Sequence, residues 1–120
     1  MLMVVGGGCW EHHSEAGDPG IDVAVALAAW VAGVESGALM RTTRGKAQVA
    51  AARHLAIYLS HVALGRDLTR LSRAFRRDRA SLRHAIRRIE DERDDPAFDQ
   101  RLSRIEAILL PLRGPAEAAR

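Results

Sequence analysis

The run from Arg76 to Ile89 constrains the fold of this chain more than any other stretch. Asp78 is a favourable helix N-cap, because a carboxylate there accepts the free N–H groups of the first turn. The apolar residues that follow recur at helical spacing and form one stripe: Leu82, Ala85, Ile86 and Ile89. The stretch therefore predicts an amphipathic helix that begins after Asp78 and packs this stripe on a core.

A row of arginines lies on another face of the same predicted helix. Arg79, Arg83 and Arg87 are spaced four apart, and like charges at that spacing destabilise a helix by roughly a few tenths of a kcal/mol per pair. Neither Arg79 nor Arg83 has an acidic residue three or four positions away, whereas Asp91 follows Arg87 by four and is expected to pair with it. We interpret the row as a surface for an anionic partner, and a solvated face without a partner is the alternative.

Charge is distributed unevenly along the 120 residues. Residues 1–40 contain no Lys or Arg and five acids, residues 41–90 contain thirteen Lys or Arg and three acids, and residues 91–120 contain five Arg and seven acids. A basic middle segment between acidic flanks indicates a nucleic-acid surface. A membrane surface is the rival interpretation, but the predicted helix combines its charge with a narrow stripe that lacks aromatic residues, unlike an interfacial helix.

Length and composition indicate one small domain, and the absence of cysteine pairs and of long apolar runs predicts a cytoplasmic protein. At 48% apolar and only 4% aromatic residues, the core has to be built from Leu, Ile, Val and Ala. A single cysteine permits no internal disulfide, and no apolar run approaches the roughly 18 residues of a membrane span. Cys9, His12 and His13 match no closed zinc site, so we interpret residues 1–18 as a flexible tail and expect no metal.

Capping signals divide the rest of the chain into about five helices. Asp18-Pro19 and Asp95-Pro96 are typical helix starts. The expected helices are 21–34, 45–63, 68–75, one from Asp78 into the acidic segment 90–94, and one from Pro96 to Pro111. Residues 19–111 are thus predicted to form the domain and 112–120 a frayed tail. Leu39 is expected to plug the core from a connecting segment, and Val62 and Ile108 are assigned to the apolar sides of their helices.

Two of these helices form a helix-turn-helix pattern. A short helix over 68–75 is followed by a tight turn at Arg76 and Arg77 and then by a longer helix with basic residues at its start. In that geometry the second helix enters the major groove of DNA, and its first residues meet the base edges.

Two separated motifs resemble the C-terminal DNA-binding domain of the bacterial replication initiator DnaA. Residues 53–59, Arg-His-Leu-Ala-Ile-Tyr-Leu, resemble that family's Arg-Gln-(apolar)-Ala-Met-Tyr-Leu run. Residues 77–82, Arg-Asp-Arg-Ala-Ser-Leu, resemble its Arg-Asp-His-(Ser/Thr)-Thr-Val signature, and residues 84–90 fit the continuation His-Ala-x-Arg-Lys-Ile-Glu. The resemblance spans about residues 21–110 and implies an all-α fold with a Trp-repressor-like helix-turn-helix.

The resemblance also implies roles for individual residues. Arg53 and Arg77 would hold phosphates, and Arg79, Ala80 and Ser81 would occupy the base-reading start of the recognition helix. A basic segment before the second helix would reach the minor groove. The full set of expected DNA-binding residues is Arg44, Lys46, Arg53, His54, Arg76, Arg77, Arg79, Ala80, Ser81 and Arg83.

The chain departs from the family pattern at several of these positions. The family's His is Arg79 here, its first Ser/Thr is Ala80, its usual Gln is His54, and its turn glycines are missing. Recognition of the initiator's usual DNA box therefore does not follow, and Arg79 is a candidate for a bidentate contact with guanine. No Gly-x4-Gly-Lys-Ser/Thr loop occurs. We expect a DNA-reading domain used alone, without nucleotide or other cofactor.

Two functions from different classes follow. The first is sequence-specific binding of double-stranded DNA as a monomer or weak dimer, by a nucleoid-associated transcriptional regulator or a factor acting at replication-origin-like sites. The second is a protein-interaction module that has kept the fold and lost DNA reading, with Trp30, Leu39 or the last helix facing the partner. An enzyme is not expected, because no nucleophile and base fall into a recognisable constellation.

Overall fold

The computed structural model describes residues 17–41 and 46–114. These ranges contain six α-helices and a final 3-10 helix, and no β-strand. The elements are α1 (Pro19–Ala32), α2 (Ser36–Leu39), α3 (Ala47–Val62), α4 (Leu68–Phe75), α5 (Arg79–Glu92), α6 (Pro96–Leu109) and the 3-10 helix Leu110–Arg113. The expected small all-α domain is confirmed. None of the helices in the described ranges has the length and apolarity needed to cross a bilayer.

Aspartates cap three of these helices. Asp18, Asp67 and Asp78 each accept a backbone N–H of the first turn of α1, α4 and α5, at 2.9, 2.8 and 2.8 Å. Asp95 forms no such bond. The start of α6 therefore depends on Pro96, whose fixed φ suits the first turn of a helix.

Helix α3 is the centre of the domain. It packs against α1 on one side and against α5 on another, so residues are buried around its whole circumference between 52 and 60 except at His54. Such all-round burial is typical of a central helix. The apolar stripe of α5 is buried as expected, with Ile86 partly exposed: Leu82, Ala85 and Ile89.

Three expectations about apolar residues have different outcomes. Leu39 is buried as predicted, but it lies in the one-turn helix α2 and not in an irregular connection. The prediction that Val62 and Ile108 are buried is wrong, because their side chains are exposed. In α6 the buried face contains Leu102 and Leu109, which are seven residues apart. Ile108 lies about 100° around the helix axis from Leu109 and therefore outside this face.

Arg66 joins the two ends of the domain. Its buried guanidinium donates to the carboxylate of Asp18 from Nε at 2.6 Å and from Nη2 at 3.2 Å. It also donates to the carbonyl oxygens of Leu112 and Arg113, at 3.2 and 2.9 Å. The folded domain therefore includes Asp18 and continues to Arg113, beyond the boundaries 19 and 111 expected from the sequence.

Arg93 fastens α6 at the end of α5. Its guanidinium donates to the carboxylates of Asp99 and Glu106, at 2.5 and 2.7 Å, and to the hydroxyl of Tyr58 at 3.0 Å. Since Tyr58 belongs to α3, one side chain links three helices. The hydroxyl of Tyr58 therefore finds a partner at the edge of the core, as expected for a buried tyrosine.

Candidate nucleic-acid interface

A three-residue turn from Arg76 to Asp78 joins α4 to α5. Arg76 has a left-handed backbone, with φ 54° and ψ 51°, a conformation that favours glycine. The hydroxyl of Ser72 donates to the carbonyl of Arg77 at 2.7 Å, and the N–H of Arg77 donates to the carbonyl of Ser72 at 3.3 Å. Helix α4 and the turn are thus connected by two local bonds that span the left-handed residue.

Three arginines converge on the C-terminal end of α2. The guanidinium of Arg53 donates to the carbonyls of residues 38 and 39, at 3.3 and 2.9 Å. Those of Arg76 and Arg77 donate to the carbonyls of residues 40 and 41, at 3.2 and 3.1 Å. The last carbonyls of a helix lack partners within the helix and accept such bonds. Residues 40 and 41, which follow α2, are therefore held against the turn that precedes α5.

These contacts change the interpretation of Arg53. Its side chain lies in the interior, at 5% exposure. Burial and then the charge of Arg77 lower the pKa of its guanidinium, although arginine keeps its charge in any case. The expected phosphate contact of Arg53 gives way to a structural role, namely holding α2 against α3.

A cleft of about 750 Å³ lies between α3 and α5. Small side chains keep it wide, among them Ala47, Ala50 and Ala51 of α3. Five of the residues predicted from sequence line this cleft together: Arg53, His54, Arg77, Ala80 and Ser81.

Two further residues of α5 complete the cleft, and both were missed in the sequence. His84 faces His54, with ring centroids 5.7 Å apart and ring planes at 84°. Arg88 lines the same wall one turn later. Burial lowers the pKa of His54, and the positive charges of His84 and Arg88 add to that effect. The signal in the sequence was the spacing of Ser81, His84 and Arg88, which places them on one side of a helix.

The first turns of α5 present a different, exposed face. The Nη2 of Arg79 donates to the Oγ1 of Thr69 in α4 at 2.6 Å. Arg83 and Arg87 are exposed, and neither forms an ion pair within the described ranges. The expected pairing of Arg87 with Asp91 is therefore wrong.

Ser81 is used in the structure of the helix start. Its N–H donates to the carboxylate of Asp78 at 2.8 Å. This bond, and then the bond from the Ser81 side chain, lower the pKa of Asp78. A DNA base would compete with Asp78 for the Ser81 hydroxyl, so Ala80 and Arg79 are the freer residues of the expected base-reading trio.

The remaining predicted residues lie in the segment before α3 or outside the described ranges. Lys46 is exposed and occupies the N-cap position of α3, with no side-chain capping bond. Arg44 belongs to residues 42–45, which lie outside the described residues. The same is true of Cys9, His12 and His13. Elsewhere in the chain, within the ranges described, no group of three or more potential ligands is arranged to hold a metal ion.

A second candidate surface lies between α1 and α6. It is an apolar groove of about 380 Å³, bordered by Arg101 and Arg104. Trp30 lines it and is 81% exposed. Leu39, the other residue proposed to face a protein partner, is buried, so that part of the expectation is wrong.

In comparisons with known proteins, no family model, no curated protein and no solved structure matches the chain. The resemblance to the DnaA domain therefore rests on two short motifs and stays a prediction. The geometry of the site combines an exposed, capped helix start with a basic cleft.

Proposed function

We propose that this protein binds double-stranded DNA sequence-dependently through the start of α5, the turn before it and the segment before α3. The observation that carries the proposal is the exposed arginine face of α5. Arg79 and Arg83 lie on its first two turns, and in the described part of the chain neither is paired with a carboxylate. An exposed row of arginines without carboxylate partners destabilises an isolated helix by charge repulsion, and a bound polyanion would relieve that repulsion.

The turn geometry supports a single DNA-facing surface. Arg76 and Arg77 anchor the end of α2 by their bonds to its carbonyls. These bonds hold residues 40 and 41 beside the turn, and Lys46 is exposed at the start of α3. A major groove of about 12 Å admits one α-helix, and α5 would enter it by its capped end while Lys46 meets the flanking backbone.

The roles within this surface differ. Arg79 and Arg83 would read bases, with guanine as the natural partner of an arginine fork. Arg76, Arg77 and Lys46 would meet phosphates, which position the protein without reading sequence. The biological role that fits is a transcriptional regulator or a factor at replication-origin-like sites, located at the nucleoid in the cytoplasm and acting as a monomer or weak dimer.

Fluorescence anisotropy with a labelled pool of duplexes tests the proposal. With about five phosphate contacts, the logarithm of the binding constant should fall with the logarithm of salt concentration at a slope near −4.5. Absence of duplex binding at ~50 mM salt would contradict the proposal.

In-vitro selection of the DNA sequences that the protein prefers distinguishes base recognition from non-specific attraction by positive charge. Arg79→Gln should reduce the discrimination between bases at one position of the DNA site by about 1–3 kcal/mol. Arg104→Gln is the matched control, because it removes the same charge from an exposed residue of α6. An unchanged sequence preference in both variants would exclude Arg79 as a base reader.

The α1–α6 groove favours a second candidate function, which is binding of a protein partner. An exposed tryptophan beside an apolar groove is typical of interaction sites. Two variants distinguish this function from DNA binding in cells: charge reversal of both Arg79 and Arg83, and Trp30→Asp. Protein binding is favoured if the cellular activity survives the first change and is lost with the second.

A further inference from the structure

The α3–α5 cleft contains positive groups that base reading by the first turn of α5 does not use. His54 and Arg53 enter it from α3, Arg77 from the turn, and His84 and Arg88 from α5. Glu92 is the one acidic residue among the described residues that line it. The guanidinium of Arg53 is buried and bonded to the carbonyls of residues 38 and 39. The other four groups, which are or can become positive, therefore face one carboxylate across an open cleft.

This arrangement suits an anion and not a metal ion. Two imidazoles at 5.7 Å would be a start for a metal site, but Arg77 and Arg88 would repel a cation there. The alanines along the wall offer no side chain that blocks a bulky ligand. A tetrahedral phosphate, with its negative charge and several acceptor oxygens, matches the donors and the space.

The charge state of His54 depends on what occupies the cleft. In the free protein, burial and then the charges of His84 and Arg88 lower its pKa below the ordinary 6.5, with smaller contributions from Arg53 and Arg77. The imidazole is therefore neutral at pH 7. A phosphate beside it reverses the sign of the local field, which favours the imidazolium.

We propose that the α3–α5 cleft binds a phosphate of the DNA backbone and that His54 takes up a proton when it does so. This inference rests on the proposed function, because it assigns the phosphate to bound DNA. A ligand that binds the protonated form more tightly gains affinity as the pH falls. The affinity for DNA should accordingly increase as the pH falls. The arginines contribute a further part of the affinity that does not depend on pH.

The test is a series of DNA titrations at constant ionic strength from roughly pH 8 to pH 5.5, a range in which histidine is the side chain that ordinarily titrates. The wild-type dissociation constant should fall by about three- to tenfold as the pH decreases, since one proton gives at most tenfold per pH unit. His54→Gln should lose most of this dependence while it still binds at pH 8.

His61→Gln is the matched control. His61 lies in the same helix, but its Nδ1 is 2.9 Å from the carbonyl of Arg66 and it does not line the cleft. The control should keep the wild-type pH dependence. If His54→Gln keeps the pH dependence, the proton is taken up elsewhere and the inference is wrong, whatever the control shows.

A second variant tests the phosphate itself. Arg88→Gln should weaken binding to all sequences by a similar factor and reduce the magnitude of the salt slope by about 0.9. An unchanged slope would show that no phosphate occupies the cleft. Wild-type affinity that is equal at both ends of the pH range would overturn the proton uptake and leave DNA binding standing, whereas absence of DNA binding at every pH would contradict the proposed function.

Discussion

The side of the domain around α1 and α6 and the side around α4 and α5 use arginine in opposite ways. On the first side, the charges of two arginines are matched by carboxylates. Arg66 binds Asp18 at 2.6 Å, and Arg93 binds Asp99 and Glu106 at 2.5 and 2.7 Å. These pairs connect elements that are distant in sequence, so their charge holds the fold together.

On the second side, Arg70 of α4 shares the carboxylate of Asp18 with Arg66, but the arginines of the turn and of the first turn of α5 have neutral acceptors. Arg76 and Arg77 donate to backbone carbonyls, and Arg79 donates to the hydroxyl of Thr69. A neutral acceptor orients a guanidinium and satisfies an N–H group, but it does not cancel the positive charge. Hydrogen bonding and neutralisation of charge are therefore separate properties, and the arginines of the turn and of the start of α5 keep their positive charge available to an anion.

The largest predicted loss of stability should come from replacing Arg66. Arg66→Ala leaves the carboxylate of Asp18 nearly buried without its main charge partner, which should reduce the free energy of unfolding by about 3–5 kcal/mol. Urea denaturation followed by circular dichroism measures this. Arg70→Ala is the control: Arg70 contacts the same carboxylate at 3.2 Å but is half exposed, so its loss should be under about 1 kcal/mol. Equal losses would mean that burial does not distinguish the two pairs.

A smaller loss should follow removal of Arg93. Its two carboxylate partners are partly exposed, so Arg93→Ala should cost about 1–2 kcal/mol, between the values for exposed and buried pairs. DNA affinity measured at a temperature where the variant is folded should be unchanged, because Arg93 lies at the far end of α5. A loss of affinity comparable to that of Arg79→Gln would break the division between the two sides.

The smallest effect concerns His54 and the pH dependence of stability. Its pKa in the folded, DNA-free protein lies below the unfolded value of 6.5, so the unfolded chain binds the proton first. Stability contributed by neutral His54 is present above pH 6.5 and is lost as the pH falls through the folded pKa. Thermal unfolding between roughly pH 7 and pH 5 should therefore show a smaller decrease for His54→Gln than for wild type. Parallel curves for the two proteins would contradict this assignment.

The helices could be predicted well because their signals are local. Asp67 and Asp78 fix the starts of α4 and α5 by bonds to residues three positions away. The end of α4 at Phe75 and the turn at Arg76 were also expected, since apolar spacing stops there. Local signals of this kind act before any tertiary contact forms.

The site could be predicted only in part, since its remaining features depend on contacts that are distant in sequence. The burial of Arg53 follows from carbonyls fourteen residues earlier, and the pairing of His54 with His84 joins two helices. The apolar pattern of α6 likewise did not indicate that Ile108 lacks a covering neighbour. Periodicity identifies the apolar face of a helix, but it does not say how far a neighbouring element extends over that face.

The bonds of Arg66 have a consequence for protein engineering. One guanidinium reaches both Asp18, where the described helices begin, and the carbonyls of Leu112 and Arg113, where they end. The two ends of the folded unit are therefore neighbours in space, an arrangement that tolerates circular permutation and insertion into a host loop. A short linker from Arg113 to Asp18, with a new opening in the exposed connection after α1, should preserve the fold.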